Sequence, residues 1–126
     1  MKNKVVWAAL AVLISTAIVV GQVAITYTFP TISAVGASAI YTPGGAPLAH
    51  TFDATVTGSP ASCTIQYEGS NKAAPVAADM RDLSGPITCT SDVMIHIVNK
   101  PITALRINVT ALSGGATVSV RYLGIR

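Results

Sequence analysis

Charge is scarce in this chain. Of 126 residues only 10% are charged, where a soluble domain carries about a quarter. Fully half (51%) are hydrophobic, which excludes a disordered segment, since disorder requires low hydrophobicity and high charge. It also excludes an ordinary helical bundle, whose wet faces need Glu, Lys and Arg. Aromatic residues make up 6%, and the single tryptophan, Trp7, lies near the start. Only two cysteines are present, and no C-x-x-C redox motif. A zinc site needs three or four ligands, and Cys63, Cys89, His50 and His96 are a dispersed supply. No nucleophile elbow, paired-carboxylate motif or metal-ligand set is visible, so the chain reads as a non-enzyme without a cofactor.

The N-terminus directs the chain to a membrane. Met1-Lys2-Asn3-Lys4 is short and basic, and Val5 to Val20 follows without a charge. A basic start followed by an apolar run has the form of a secretory signal. As a helix the run would span about 24 Å, short of the roughly 30 Å hydrocarbon core. Continued to Ile25 it reaches about 31 Å. Residues 1–21 are therefore a cleavable signal or a retained hydrophobic helical anchor, and residues 22–126 a single domain. The predicted location is extracellular, on the cell surface or on a virion, with membrane contact only through residues 5–25 if the leader stays. Lys2 and Lys4 supply two of the net charge of +3, leaving +1 on the remainder (3 − 2). Its cations and acids are interspersed, without the basic stripe that nucleic acid demands.

In an exported protein a lone cysteine pair reads as a disulfide. A Cys63–Cys89 bridge would close a loop of about 26 residues, worth roughly 3.5 kcal/mol in the chain-entropy model.

Downstream of residue 22, two-residue alternation dominates. It runs through Val23–Phe29, Phe52–Val56, Cys63–Tyr67, Val93–Val98, Leu105–Val109 and Val118–Tyr122. Gly, Pro, Ser and Asn clusters punctuate it, as at Thr42–Gly45, Ser84–Pro86, Asn99–Pro101 and Ser113–Gly115. Such spacing predicts an all-β, antiparallel β-sandwich or barrel. The outward positions hold Thr, Ser, Gln, Asn and Arg, so the wet faces are hydroxyl-rich rather than ionic. Thr31–Ala49 offers one short strand candidate, Ala39–Tyr41. Lys72–Leu83 accommodates either a helical turn around Ala77–Met80 or an edge strand. Ser113-Gly114-Gly115 reads as a tight hairpin.

Two blocks carry a family resemblance. Thr64-Ile65-Gln66-Tyr67-Glu68-Gly69-Ser70-Asn71 resembles the strand and Glu-Gly-Ser-Asn turn of discoidin-like (galactose-binding-like) β-sandwiches. Lys100–Thr110, followed by Ser113-Gly114-Gly115 and Val118–Gly124, resembles the arginine strand, glycine turn and final strand of that group. The likeness is nearer still to small β-sandwich proteins of tailed-phage and prophage genomes, and covers Cys63 to Ile125. It implies a jelly-roll or discoidin-like sandwich. The tryptophan that discoidin domains carry after the turn is replaced here by the alanines of Lys72–Asp82, so no ligand site transfers.

Several polar groups invite a functional reading. His50 and Asp53 stand three apart, which on a strand puts them on opposite faces and argues against a catalytic dyad; they read as surface or turn residues. His96 should lie beside Met94 and Val98. Asp79, Asp82 and Asp92 are a candidate oxygen set for Ca²⁺, or solvated loop residues. Arg106, Asn108 and Arg121 fall on outward positions of successive strands; if those strands pair, the three share a face suited to an acidic or sugar partner. The tyrosines Tyr27, Tyr41, Tyr67 and Tyr122 fall mostly on inward positions. The sequence thus favours an exported structural or surface-attachment sandwich, virion-associated or decoration-type, whose partners are its own copies or other surface and virion proteins. A small carbohydrate-binding module is the first alternative. A pilin-like filament subunit, polymerising through its N-terminal helix or strand, is the second.

Overall fold

A computed structural model describes residues 21–126. The apolar leader, whether signal or anchor, lies outside the described residues. Among those described, no helix is long and apolar enough to cross a membrane.

The described residues form nine strands in chain order: β1 (Ala24–Thr28), β2 (Gly36–Ala37), β3 (Ala49–Thr57), β4 (Cys63–Ser70), β5 (Arg81–Asp82), β6 (Ile87–Thr88), β7 (Val93–Ile97), β8 (Ala104–Leu112) and β9 (Thr117–Ile125). A single 3₁₀ turn, Ala77–Asp79, precedes β5, so the ambiguous Lys72–Leu83 segment holds both a turn and a short edge strand. The six alternating runs are the six longer strands. β2 and β6 have two residues each, too few to show a period.

The strands make two antiparallel sheets. One has the order β1-β9-β3-β7, the other β2-β8-β4-β5 with β6 also on β4. The chain changes sheet at every connection except β4–β5–β6. In the first sheet β3 and β9 pair over nine residues, from Ala49↔Ile125 to Thr57↔Thr117. In the second, β4 and β8 pair from Cys63↔Leu112 to Ser70↔Ala104, with an irregularity at Thr64/Ile65 that leaves Thr110 exposed. Period-two geometry then sorts the side chains. Phe52, Ala54, Val118, Val120 and Tyr122 from one sheet face Ile65, Tyr67, Leu105, Ile107 and Val109 from the other, all at most 1% exposed. Phe52 stacks on Tyr67 across the interior, ring centroids 4.1 Å apart. The outward positions Thr51, Thr55, Thr64, Gln66 and Ser119 are half-buried or exposed.

Two expectations need correction. Ser113–Gly115 is not a hairpin between paired neighbours. Gly114 and Gly115 both take left-handed backbone (φ 69° and 67°), and this short arch carries the chain from β8 in one sheet to β9 in the other. Nor is His50 at the surface: it is 1% exposed. The alternation that turns Phe52 inward also turns His50 inward, as the next residue of that parity, while Asp53 does point outward.

Cys63 and Cys89 form a disulfide, Cα atoms 4.9 Å apart, with both residues buried. It ties the start of β4 to the segment after β6, where only two strand residues hold the chain. We expect the double variant Cys63→Ala/Cys89→Ala to lose about 3 kcal/mol in urea unfolding, near the loop-closure value. Reduction of the wild type should move its midpoint by a similar amount, and leave the variant unchanged.

Candidate functional site

Three polar assemblies stand out, and each is built by strand register. The first lies on the outer face of the second sheet. Glu68 on β4 sits opposite Arg106 on β8, and Gln66 opposite Asn108. The Glu68 carboxylate accepts from Arg106 Nε at one oxygen and from Asn108 Nδ2 at the other, 3.0 Å. The Arg106 and Glu68 side chains are only 16% and 11% exposed. This is a mostly desolvated pair whose carboxylate takes a second donor, as such pairs need. The arginine is therefore engaged internally. So is the Asn108 amide.

Arg121 is elsewhere. It lies on β9, on the outer face of the first sheet, opposite Asp53 of β3 and Thr28 of β1. Its guanidinium is 70% exposed and approaches Asp53 at 3.5 Å. Because β8 and β9 belong to different sheets, Arg106 and Asn108 occupy one side of the sandwich and Arg121 the other. The three do not make a common face.

The second assembly is an open cleft of about 430 Å³ between the Gly69–Lys72 end of β4 and the Asn99–Ile102 loop. Gly69 forms part of its wall because a Cβ there would stand 2.7 Å from Leu83 and 2.9 Å from Ile102. Three cations line it, and each has an internal acceptor. Lys72 pairs with Asp79, Arg81 donates to the carbonyl of Ala78 at 2.7 Å, and Lys100 reaches the carbonyl of Leu83 at 3.4 Å. The Lys72 hydrogen bond, then the Val76 amide, hold the Asp79 carboxyl below its ordinary range.

The three acids proposed for calcium do not converge. Asp79 serves Lys72 and Val76; Asp82 accepts from the amides of Ser84 (3.1 Å) and Gly85 (2.9 Å); Asp92 accepts from the amide of Val56 (2.8 Å). Among the described residues no three His, Cys, Asp or Glu side chains gather as metal ligands do.

The third assembly is buried, and sequence reasoning missed it. His50 Nε2 lies 2.9 Å from the carbonyl of Lys100, and Nδ1 lies 2.9 Å from the Tyr122 hydroxyl. A carbonyl only accepts, so Nε2 carries the proton and Nδ1 accepts from Tyr122. This fixes one neutral tautomer. Tyr122 folds over Gly124, where a Cβ would stand 2.3 Å from its hydroxyl. Burial lowers the His50 pKa and raises that of Tyr122. The network pins the Lys100 loop, between β7 and β8, to the first sheet. The signal in sequence was the parity of His50 with Phe52 and Ala54. His96, by contrast, is exposed beside Met94 and Val98, as alternation implied, and meets Thr51 at 2.9 Å.

Comparison with known proteins places the fold. No family model matches the chain, and no curated protein matches it. Among solved structures, the SPBc2 prophage-derived protein YomS is similar with a TM-score of 0.60 at 12% identity, covering 88% of this chain and all of that one. At that identity the likeness is one of fold. PirA (TM-score 0.40, 19% identity, covering 82% of this chain and 93% of that one) lies further off. So does the capsid of Helicobacter pylori bacteriophage KHP30 (TM-score 0.37, 12% identity, 84% and 94%).

Removing one member of the mostly buried ion pair strands the others. Glu68→Ala should cost about 3 kcal/mol in chemical unfolding. Arg121→Ala, at an exposed pair, should cost under about 1 kcal/mol. Equal losses would contradict the burial argument. His50 gives a pH test. Its folded pKa is depressed, so it stays neutral in the fold while the unfolded chain takes up a proton below about pH 6.5. Its contribution is full above the unfolded pKa and declines as pH falls through it. Urea midpoints should therefore drop between about pH 7.5 and 5 in the wild type, and the slope should shrink in His50→Gln.

Proposed function

We propose that this chain is a non-enzymatic, exported structural β-sandwich that self-associates, of virion-associated or decoration type. One observation carries the reading: the outside of the first sheet is apolar and hydroxyl-bearing where a solitary domain would place charge. Met94 is 55% exposed and Val98 60%. Leu123 and Ile125 lie half-buried on the same outer face, among Thr26, Thr51 and Thr55. Among the described residues, the ionic side chains that its strands place on this face are Asp53 and Arg121, which face each other. Such a surface sheds water at lower cost than an ionic one. It therefore suits contact with copies of the chain or with other virion and surface proteins.

The strand order supports the finer fold assignment within this proposal. Sheets ordered 1-9-3-7 and 2-8-4-5, with the chain alternating between them, follow the jelly-roll plan, which viral capsid and lectin domains share. The prophage origin of YomS is in keeping with a phage setting for this chain, and the discoidin-like likeness of the Cys63–Ile125 blocks belongs to the same reading. The glycan alternative has less support. Sugar sites favour exposed aromatic faces, and here Tyr67 and Tyr122 are fully buried while Tyr27 and Tyr41 stack on each other with centroids 3.8 Å apart.

Light scattering on the purified protein across a dilution series tests the association. We expect assemblies at integral multiples of the protomer mass that dissociate on dilution. A monomer at every concentration overturns the proposal. N-terminal sequencing of material recovered outside the cell tests export and tells a cleaved leader from a retained one.

A further inference from the structure

The free edge of β7 identifies where a second copy would join. Sheet edges expose unpaired N–H and C=O groups, and native proteins guard them with short strands, lysine or proline. The second sheet follows that rule: its edge strands β2, β5 and β6 have two residues each. The first sheet does not. β7 reads Val93-Met94-Ile95-His96-Ile97 and continues to Val98, with no proline, lysine or carboxylate inside it. It pairs with β3 on one side. Among the described residues its other side makes no backbone hydrogen bond.

We propose that β7 pairs antiparallel with β7 of a second copy about a two-fold axis through His96, joining the two four-stranded sheets into one of eight strands. This rests on the self-associating reading above and specifies its surface. The register follows from two considerations. Outward-turned N–H and C=O groups belong to alternate residues of an edge strand, so a two-fold antiparallel pair must be centred on a residue rather than between two. Centring on His96 sets Met94 against Val98, the two most exposed apolar side chains of this segment and both on the outer face. It also sets Ile95 against Ile97 on the inner face. The pairing ends at Asn99, whose left-handed backbone (φ 60°) turns the chain away from the strand. Centring on Ile95 would place Met94 against His96; centring on Ile97 would place His96 against Val98. Of the three centres, only His96 sets the two exposed apolar side chains against each other.

The other edge of this sheet, β1, fits less well. Its exposed side chains, Ala24, Thr26 and Thr28, are small or hydroxyl-bearing, and Pro30 stands two residues beyond its end. A two-fold contact is closed, so it yields a dimer rather than a fibre.

The native cysteines are buried in their disulfide, which leaves an engineered cysteine as the one reactive thiol. In the proposed pair the two His96 Cα atoms stand about 4.5–5.5 Å apart, within disulfide range. We expect His96→Cys in the full-length protein to form a covalent dimer under mild oxidation, while the β1-edge control Thr28→Cys stays largely uncrosslinked. Met94→Lys, a residue type that guards natural edges, should weaken dimerisation at least tenfold by light scattering. An oligomeric wild type in which His96→Cys fails to crosslink, or Met94→Lys leaves the dimer intact, overturns this interface and leaves the self-associating reading standing. A wild type that is monomeric throughout overturns both.

Discussion

The nine-residue ladder between β3 and β9 is the constraint from which the rest of the molecule follows. It joins segments sixty or more positions apart and fixes the parity of both strands at once. That parity buries His50, Phe52 and Ala54 on one strand and Val118, Val120 and Tyr122 on the other, and leaves Asp53 facing Arg121 outside. A one-residue slip would reverse every one of these placements. β1 and β7 are then flanking additions, and the Phe52–Tyr67 stack carries the register into the second sheet. Contacts of such sequence separation form late and at high entropic cost. A disulfide that restricts the unfolded chain from β4 to just past β6 is a fitting counterweight.

Charge is used with economy. Most of the few ionic groups have a specific internal partner: Glu68 with Arg106 and Asn108, Asp79 with Lys72, Asp82 and Asp92 with backbone amides. This is why the polar side chains make no shared ligand face. It is also why the outside of the first sheet is left to hydroxyls and aliphatic groups. The two features are one property seen twice. A chain with 10% charged residues that spends them on turns and a buried pair has little left to guard an edge such as β7.

The six longer strands were legible because period two is imprinted on Cys63–Tyr67, Leu105–Val109 and their counterparts. The two-residue strands were not, since Gly36–Ala37 and Ile87–Thr88 are held only by what they pair with. The chemistry of His50 gave no sign of its burial, since imidazole serves surface and interior alike, while its parity with Phe52 pointed inward. Arg106 and Arg121 were judged by nearness along the chain. Glycines that permit left-handed backbone serve a hairpin and an inter-sheet arch equally, so Ser113–Gly115 could not say which strands become neighbours.

The sequence alone therefore determined the all-β character, the alternation that sorts each strand's two faces, the turn positions and the cysteine supply, because these are encoded within a few residues of one another. Tertiary structure decided which strands pair, which side of the sandwich each arginine occupies, that Glu68 claims Arg106 and Asn108, and that His50 links Tyr122 to Lys100. These depend on contacts between residues 38 to 72 positions apart, and local pattern carries no record of partners at that distance.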